Sequence, residues 1–465
     1  MKIKELWIED YKLLQDFNTT FDEQLIVLIG QNGSGKSTLL EFVANIFYDL
    51  YEHFVLGKGS KPEFDFKLRY KIEYSENKYE IYITSNKKTK EYYEINIKRN
   101  DEKSKKYSKS QINQEFYSDY KDMLPQNVVM YYSGISETLE NKFKVFQEEY
   151  FIKPSVKNSK KIEQPFFYFL PENFSTILTA LLAYQYRVPE ILKEQFAIDG
   201  FDKIIITLKK PYWAKDTIEN AWGASGDLLT FIERMINILG DISHYKITDD
   251  NIIFTIPSQE KLINIWEFYG EEKSIFEYLT TLQANDLIEN IEVMINKDEK
   301  IISHNNLSEG EKQLLTILGL KELLATENTL FLLDEPDTYL HPKWQRDFVN
   351  ELLKLENNNQ FITTTHSPLI LGHLKKKYLK IIKNGKIDES IHYSYGRDIN
   401  SILLDLMGVT KRPQELEEKV SALFSALELD DLTEAKKLLS ELTEYFGAED
   451  NIIIEANTIL SILED

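Results

Sequence analysis

The chain contains no cysteine among its 465 residues, which excludes disulfides, cysteine-bound metals and thiol catalysis without fixing a compartment. It has no run of eighteen apolar residues, and its opening MKIKELWIEDYK has no apolar signal core. Nothing in it is therefore expected to insert into or cross a membrane, and a soluble, cytoplasmic protein is expected. Positive charge is also short. The 55 Lys and Arg stand against 76 Asp and Glu, a net −21, which argues against a surface that coats nucleic acid as a whole. Local basic grooves are compatible with that balance. The chain has length and apolar mass instead: 42 % hydrophobic residues over 465 positions suggest two or three units and a large core. Its 27 Tyr and 26 Phe, with frequent Asn and Lys, are read as base composition of the source.

The stretch LIVLIGQNGSGKSTLL, residues 25–40, organises the rest. An apolar run reads as a buried strand, a glycine-rich turn follows, and a helix pattern begins. Gly30, Gly33 and Gly35 let the backbone curl so that its N–H groups point at a nucleotide's phosphates. Lys36 reaches the β- and γ-phosphates, Ser37 supplies a hydroxyl to Mg²⁺, and the helix aims its positive end at the same anion.

Around this loop, residues 3–29 read as strand, turn, strand, and residues 39–56 as a helix. Tyr11 and Phe17 are candidates for stacking on adenine, with a place in the core as the competing reading. Residues 66–74, 79–84 and 92–97 alternate at period two, an antiparallel meander with one wet face. Lys98–Lys109, KRNDEKSKKYSK, has no periodicity and reads as a solvated loop. Residues 127–132 form a buried-strand pattern. Beyond them Asn173 reads as a helix cap, residues 203–208 and 252–256 as strands, and residues 214–239 and 261–285 as helical. A hairpin is expected at 292–302. The chain closes on residues 411–465, five basic against fourteen acidic, as amphipathic helices stopped at Gly447 and packing on a neighbour or a partner.

Three further stretches carry chemistry. The apolar strand 329–334 ends in Asp334 and Glu335; Asp334 can hold Mg²⁺ opposite Ser37, and Glu335 can orient or deprotonate the water that attacks the γ-phosphate. A solvated turn is the bland reading of such a pair, but four apolar residues precede it and Pro336 ends the strand at once. His366 closes another buried strand, where a neutral imidazole could hydrogen-bond the γ-phosphate. Ser308 and Gly310 open a helix whose N-terminus could bind a phosphate, an ordinary serine cap being the alternative. Two helix starts do not easily serve one γ-phosphate within a subunit, so this one should face another subunit's nucleotide.

Taken in order, GQNGSGKST, LSEGEKQ, LFLLDEPDTYLHP and TTTHSP resemble the ATP-binding-cassette class of P-loop ATPases, in its soluble branch with RecF, SMC proteins and OLD-type nucleases. The resemblance implies an α/β P-loop NTPase fold of ABC-ATPase type: a mixed, largely parallel sheet with an antiparallel β lobe, a helical insertion and a small helical tail. It implies ATP held between two heads with Mg²⁺ on Ser37 and Asp334. One head would give Gly30, Gln31, Asn32, Gly33, Ser34, Gly35, Lys36, Ser37 and Thr38 with Asp334, Glu335 and His366; the other would give Ser308 and Gly310. Lys36, Glu335 and His366 are then the catalytic groups. The implied division is residues 1–134 and 291–410 for the two halves of the ATPase, 135–290 for a mainly helical insertion and 411–465 for the acidic tail.

Two departures stand out. The class places a glutamine after the strand leading into the insertion, whereas NVVMYYSG ends in Ser133; and the insertion is too short for SMC-length coiled coils. Only 99 residues follow His366, with no acidic strand-end cluster, so no Toprim nuclease domain is expected. VVMYYSGISETL, YGRDINSILLDLMGV and SALELDDLTEAKKLLSELTEYFG are similar to the PtuA ATPases of Septu and retron anti-phage systems. That likeness implies a homo-oligomer of head-to-tail dimers holding a separate HNH nuclease of the PtuB kind, with DNA or a phage component as further partners and no membrane. Rival implications are an AriA-like ATPase of PARIS with a Toprim effector, or a RecF/SMC-like DNA-repair or chromosome-maintenance ATPase gripping DNA through Lys-rich loops at 98–109 and 375–386.

Overall fold

A computed structural model of the chain describes residues 1–59, 61–89, 91–116, 120–132, 143, 165–185, 188–212, 214, 222–223, 226–267, 272–325, 328–354, 359–388, 393–408 and 412–464. The chain divides into two compact units, Met1–Ile391 and His392–Asp465, so the C-terminal unit begins before residue 411.

The first unit opens with β1 (Lys2–Tyr11), β2 (Leu14–Thr20) and β3 (Leu25–Ile29), and β3 runs through the glycine-rich loop into the helix Lys36–Phe54. Then come β4 (Phe66–Tyr74), β5 (Asn77–Ser85), β6 (Tyr93–Arg99), β7 (Lys105–Tyr107), β8 (Asn127–Tyr132) and β9 (Phe166–Tyr168). Further on are β10 (Ile198–Lys209), β11 (Tyr245–Ile247), β12 (Asn251–Ile256), β13 (Ile288–Lys297) and β14 (Lys300–Ser303). The unit closes with β15 (Thr329–Asp334), β16 (Gln360–Thr364), β17 (Leu379–Lys383) and β18 (Lys386–Asp388).

Among the described residues these strands form three sheets. The one that carries the site has the order β18-β17-β3-β16-β15-β8-β9, parallel throughout except for the edge strand β18. Every residue of β3, β15 and β16 is buried, as expected of parallel strands covered on both faces. Their C-terminal ends lie side by side, with Leu28 opposite Thr364, Thr363 opposite Leu333 and Asp334 opposite Tyr132. The fold is thus an α/β P-loop fold, with Asp334 and the glycine-rich loop gathered at the strands' carboxyl edge.

The second sheet, β2-β1-β4-β5-β6-β7, is antiparallel. It faces the parallel sheet across the helix Lys36–Phe54, which is buried almost all round: Phe47 meets Tyr70 of β4 edge-on at 5.7 Å, while Tyr51 meets Phe166 of β9 at 5.6 Å. Lys98–Lys109 is not the structureless loop expected from its composition. It contains β7 as an edge strand and the start of the helix Lys109–Glu115, where Ser108 and Gln111 form a capping box.

The third sheet, β11-β12-β10-β13-β14, runs through the region 135–290, whose described residues are otherwise mainly helical. Helices are present at Phe174–Leu182, Val188–Phe196, Gly226–Leu239, Gln259–Glu267 and Glu272–Ala284. They accompany a sheet centred on β10, whose partner β13 spans the expected boundary at 290. Asn173 precedes the first of these helices without capping it; its Oδ1 accepts from the Leu170 amide at 2.8 Å and its Nδ2 donates to Gln283. No helix among the described residues is long and apolar enough to cross a membrane.

In the second unit the helices Gln414–Glu428, Leu432–Phe446 and Asn451–Glu464 share a small apolar core built on Leu423, Ala435, Leu442, Ile453 and Ala456. Gly447 ends the second helix at a φ of 79°, as expected.

Candidate active site

The loop after β3 is shaped by what a Cβ would strike. At Gly30, with φ 156°, an added Cβ would sit 2.2 Å from the Ile382 carbonyl oxygen and 2.6 Å from Ser34 Oγ, so only glycine fits. Gly35 caps the helix in the left-handed region, φ 105°, and offers no side-chain acceptor. The first-turn amides of Lys36, Ser37 and Thr38 are therefore left facing the loop, an anion receptor of backbone donors. Gln31, Asn32 and Gly33 are exposed at its rim. Lys36 is buried and curls back, its Nζ donating to the carbonyls of Gly30 at 2.9 Å and Gln31 at 3.3 Å. Burial pushes its ammonium below the usual lysine range, against the opposing pull of Glu335 and Asp334.

Asp334 is the hub. Ser37 Oγ donates to its Oδ1 at 3.0 Å and Thr364 Oγ1 donates to the same oxygen at 2.7 Å, while Oδ2 has no hydrogen-bond partner among the described residues. Burial raises this carboxyl, with the two hydroxyl donors pulling the other way. A carboxylate with one oxygen held and one open, beside a serine hydroxyl, fits a magnesium ion that takes its other ligands from phosphate and water.

Glu335 turns sharply out of the strand at φ 46°, its amide donating to Thr364 Oγ1 at 2.8 Å. Strain of this kind in a non-glycine residue aims a side chain. The Glu335 carboxylate Oε1 lies 3.5 Å from His366 Nε2, each side chain about one-third exposed at 37 % and 35 %. Burial and Lys36 push the imidazole below its ordinary value, so it is neutral at pH 7. The residues flanking His366 are pinned: Thr365 Oγ1 donates to Asp337 Oδ2 at 2.8 Å, and Ser367 Oγ donates to Gln345 Oε1 at 2.8 Å. Asp337 itself is pushed up to about 6 by burial.

One pocket thus brings together Lys36, Ser37, Asp334, Glu335 and His366. Ser308 and Gly310 are not part of it. Ser308 Oγ donates to Glu311 Oε2 at 2.8 Å and accepts from the Glu311 amide at 3.3 Å, a complete capping box, and Glu311 Oε1 pairs with Lys297 at 3.1 Å. Gly310 packs under the turn after β15; a Cβ there would lie 2.6 Å from the Tyr339 carbonyl oxygen. One turn further, buried Gln313 donates to Tyr131 Oη at 3.1 Å and accepts from the Tyr339 amide at 2.9 Å.

Tyr11 and Phe17 are core residues. Tyr11 packs edge-on against Phe42 and Phe64 and accepts from Asn45, and Phe17 is fully buried. Ser133, which stands where the class places a glutamine, lies outside the described residues. Tyr132 just before it stands in parallel register with Asp334. Thr364, Asp337, Gln313 and Tyr132 were not singled out from sequence, since a lone polar residue in an apolar strand or turn carries no signal without its register.

The AAA ATPase domain family model matches residues 1–371. Among curated proteins the chain is 29 % identical over 182 residues to the retron Ec83 probable ATPase of Escherichia coli, 36 % of this chain and 33 % of that one, so it spans about a third of that relative. It is 23 % identical to the retron Vc95 probable ATPase of Vibrio cholerae serotype O1 biovar El Tor, over 92 % of this chain and 83 % of that one. Solved structures similar to it include the SMC head domain from Thermotoga maritima, with TM-score 0.33 and 13 % identity over 83 % of this chain and 98 % of that one. An ATP-binding cassette of an ABC transporter gives TM-score 0.30 and 13 % identity over 87 % and 96 %. With its phosphate loop, strand-end carboxylates and neutral histidine in one pocket, the chain belongs to the AAA ATPase domain family and is an enzyme that binds and hydrolyses ATP.

Proposed function

We propose that this ATPase is a subunit of a bacterial anti-phage defence complex of the PtuA kind, working in the cytoplasm as head-to-tail dimers within a larger homo-oligomer and controlling a separate HNH nuclease subunit. The retron names of its relatives support the defence setting. The observation that carries the dimer is the division of the site: the pocket of Lys36, Asp334, Glu335 and His366 is assembled within one chain, while the exposed Ser308 turn is held by Glu311 and Tyr339 instead. The Ser308 turn would meet the γ-phosphate of a second copy.

In this reading the Lys36 ammonium exchanges its two carbonyl partners for β- and γ-phosphate oxygens, a charge-assisted contact stronger than the one it leaves. Mg²⁺ held by Ser37 and Asp334 would neutralise charge developing on the phosphates. Glu335 orients the attacking water and accepts its proton, and neutral His366 donates to the γ-phosphate through Nε2, the nitrogen facing Glu335. In-line attack then needs only positioning and charge stabilisation.

Glu335→Gln keeps the pocket's shape and removes the proton acceptor. Turnover should fall by about 10² to 10⁴, and ATP should hold the variant as a stable dimer on a sizing column. Phosphate release at the normal rate would remove Glu335 from the mechanism. Co-purification with the product of the adjoining reading frame tests the partner: an HNH protein supports the PtuA reading, a Toprim protein the PARIS one.

A further inference from the structure

Beyond Ser308 in the helix Glu309–Leu324, the buried side chain of Gln313 spans two neighbouring strand ends of the parallel sheet. Its Oε1 accepts from the Tyr339 amide at 2.9 Å, in the turn that follows β15. Its Nε2 donates to Tyr131 Oη at 3.1 Å, near the end of β8, where the tyrosine ring stacks on Phe169 with centres 5.3 Å apart. A backbone amide can only donate, so this pairing fixes which way the glutamine amide faces. The bond to Tyr131 is fully buried, and removing either partner there leaves a polar group out of water with nothing to bind.

The turn that Gln313 grips leads directly away from Glu335. Thr338 Oγ1 donates to the Glu335 carbonyl at 2.9 Å, and Asp337 Oδ2 accepts from Thr365, the neighbour of His366, at 2.8 Å. The turn is thereby tied to both members of the Glu335–His366 pair. On its other side Gly310 leaves no slack against the Tyr339 carbonyl, where a Cβ would come within 2.6 Å. Close packing and a fixed hydrogen bond transmit a displacement of the helix start instead of absorbing it. We propose that Gln313 is a positioning residue: it locks the helix that begins at Ser308 to the turn after Glu335, so that a second copy seated on the Ser308 turn sets the geometry of the Glu335–His366 pair for hydrolysis. This rests on the reading of the Ser308 turn as the place where a second copy meets the nucleotide.

The test compares full-length proteins by three measurements: affinity for a fluorescent ATP analogue with Mg²⁺, ATP-induced dimerisation in the Glu335→Gln background by sedimentation, and phosphate release at saturating ATP. Gln313→Met keeps the volume and deletes both bonds. With the open phosphate loop and the Ser308 cap untouched, it should bind the analogue and dimerise within about threefold of the parent. Turnover should nevertheless fall by about 10- to 100-fold, the cost of misplacing reacting groups by an ångström or less. Gln313→Glu retains both bonds, since a carboxylate accepts from the Tyr339 amide and from the Tyr131 hydroxyl, and should hold turnover within about threefold. Tyr131→Phe removes one bond only; it should show the same split at about three- to tenfold, and it carries the test if the methionine variant does not fold. Unchanged turnover in Gln313→Met overturns the proposal. So does turnover lost in step with dimerisation, because the glutamine would then only shape the Ser308 turn. If the Glu335→Gln protein stays monomeric with ATP and the parent's turnover per subunit is independent of protein concentration, the two-copy reading fails and takes this inference with it.

Discussion

Two helices in this molecule begin with sequences that read as phosphate receptors, yet their N-termini are finished in opposite ways. The helix Lys36–Phe54 starts at Gly35, with no side chain over its free amides. The helix Glu309–Leu324 starts at Ser308, with its capping box closed and its N3 carboxylate neutralised by Lys297. An open start can take an anion at once, since its donors have no internal partner to give up. A closed start must exchange Glu311 for the incoming phosphate, which makes it a poor receptor alone and a selective one when a second copy brings the nucleotide to it. The difference separates binding from assembly: one subunit can load ATP, and the loaded site can then be clamped.

The sharpest way to break this contrast is to remove the cation from the open start. Lys36→Ala should weaken ATP binding by about a hundredfold, ~3 kcal/mol for two charge-assisted contacts. Ser308→Ala should leave the affinity of the monomer within about twofold. Nucleotide titration at protein concentrations too low for dimers checks both, and equal losses at the two positions would mean that the helix starts serve one site.

How much of this was readable beforehand follows the same line between local and non-local order. The glycine loop, the Asp334–Glu335 strand end and the Ser308 turn are each set by consecutive residues, and all three stand where the sequence places them. The meander of β4, β5 and β6 announces itself by period-two alternation closed by short turns. The third sheet does not. Its strands are legible singly, at 203–208, 252–256 and 292–302, but their pairing is not: β10 pairs with β12 some fifty residues away and with β13 some ninety away. The same holds for the groups missed at the site. Tyr132 gains meaning only from standing opposite Asp334 and Thr364 only from its hydrogen bond to it, placements that parallel strands set through crossovers of dozens of residues. Lys98–Lys109 was misjudged for a different reason: an edge strand of three residues is too short to show any period.

The turn beneath the closed start offers a pH handle. Gly310 and Gln313 both press on Tyr339, and Asp337 anchors that turn to Thr365. A buried carboxyl raised to about 6 binds its proton more tightly folded than unfolded. It therefore favours folding most below its ordinary range near 3.8, and that advantage is lost as pH climbs through 6, about 3 kcal/mol in all. Asp337→Asn keeps an acceptor for Thr365 and removes the charge. Unfolding in urea at pH 8 should show the variant more stable by ~1–3 kcal/mol, a gap that shrinks as pH falls through 6 and closes only below the ordinary value of 3.8. A variant less stable at both values would mean that the carboxylate, not a neutral acceptor, holds the turn.

The smallest effect bears most directly on the comparison. Glu311→Gln preserves the capping box, since glutamine serves at N3 as well as glutamate, but it strips the charge that pairs with Lys297. Although burial works to raise it, the Ser308 amide and hydroxyl and Lys297 hold the Glu311 carboxyl below the usual range. Its contribution is present above that range and lost as pH falls through the depressed value, so the glutamine variant should lose under about 1 kcal/mol at pH 7 and shed that part of the acid sensitivity. Its effect on assembly should run the other way. A carboxylate beside Ser308 repels an arriving phosphate, and removing it should tighten the ATP-induced dimer by about two- to fivefold, the 0.3–1 kcal/mol that one charge is worth at a helix N-terminus. Sedimentation of the Glu335→Gln background with and without the change at 311 would read this directly. A dimer that is unchanged would leave the two helix starts differing in their caps alone, with no part for charge in deciding which one waits for a partner.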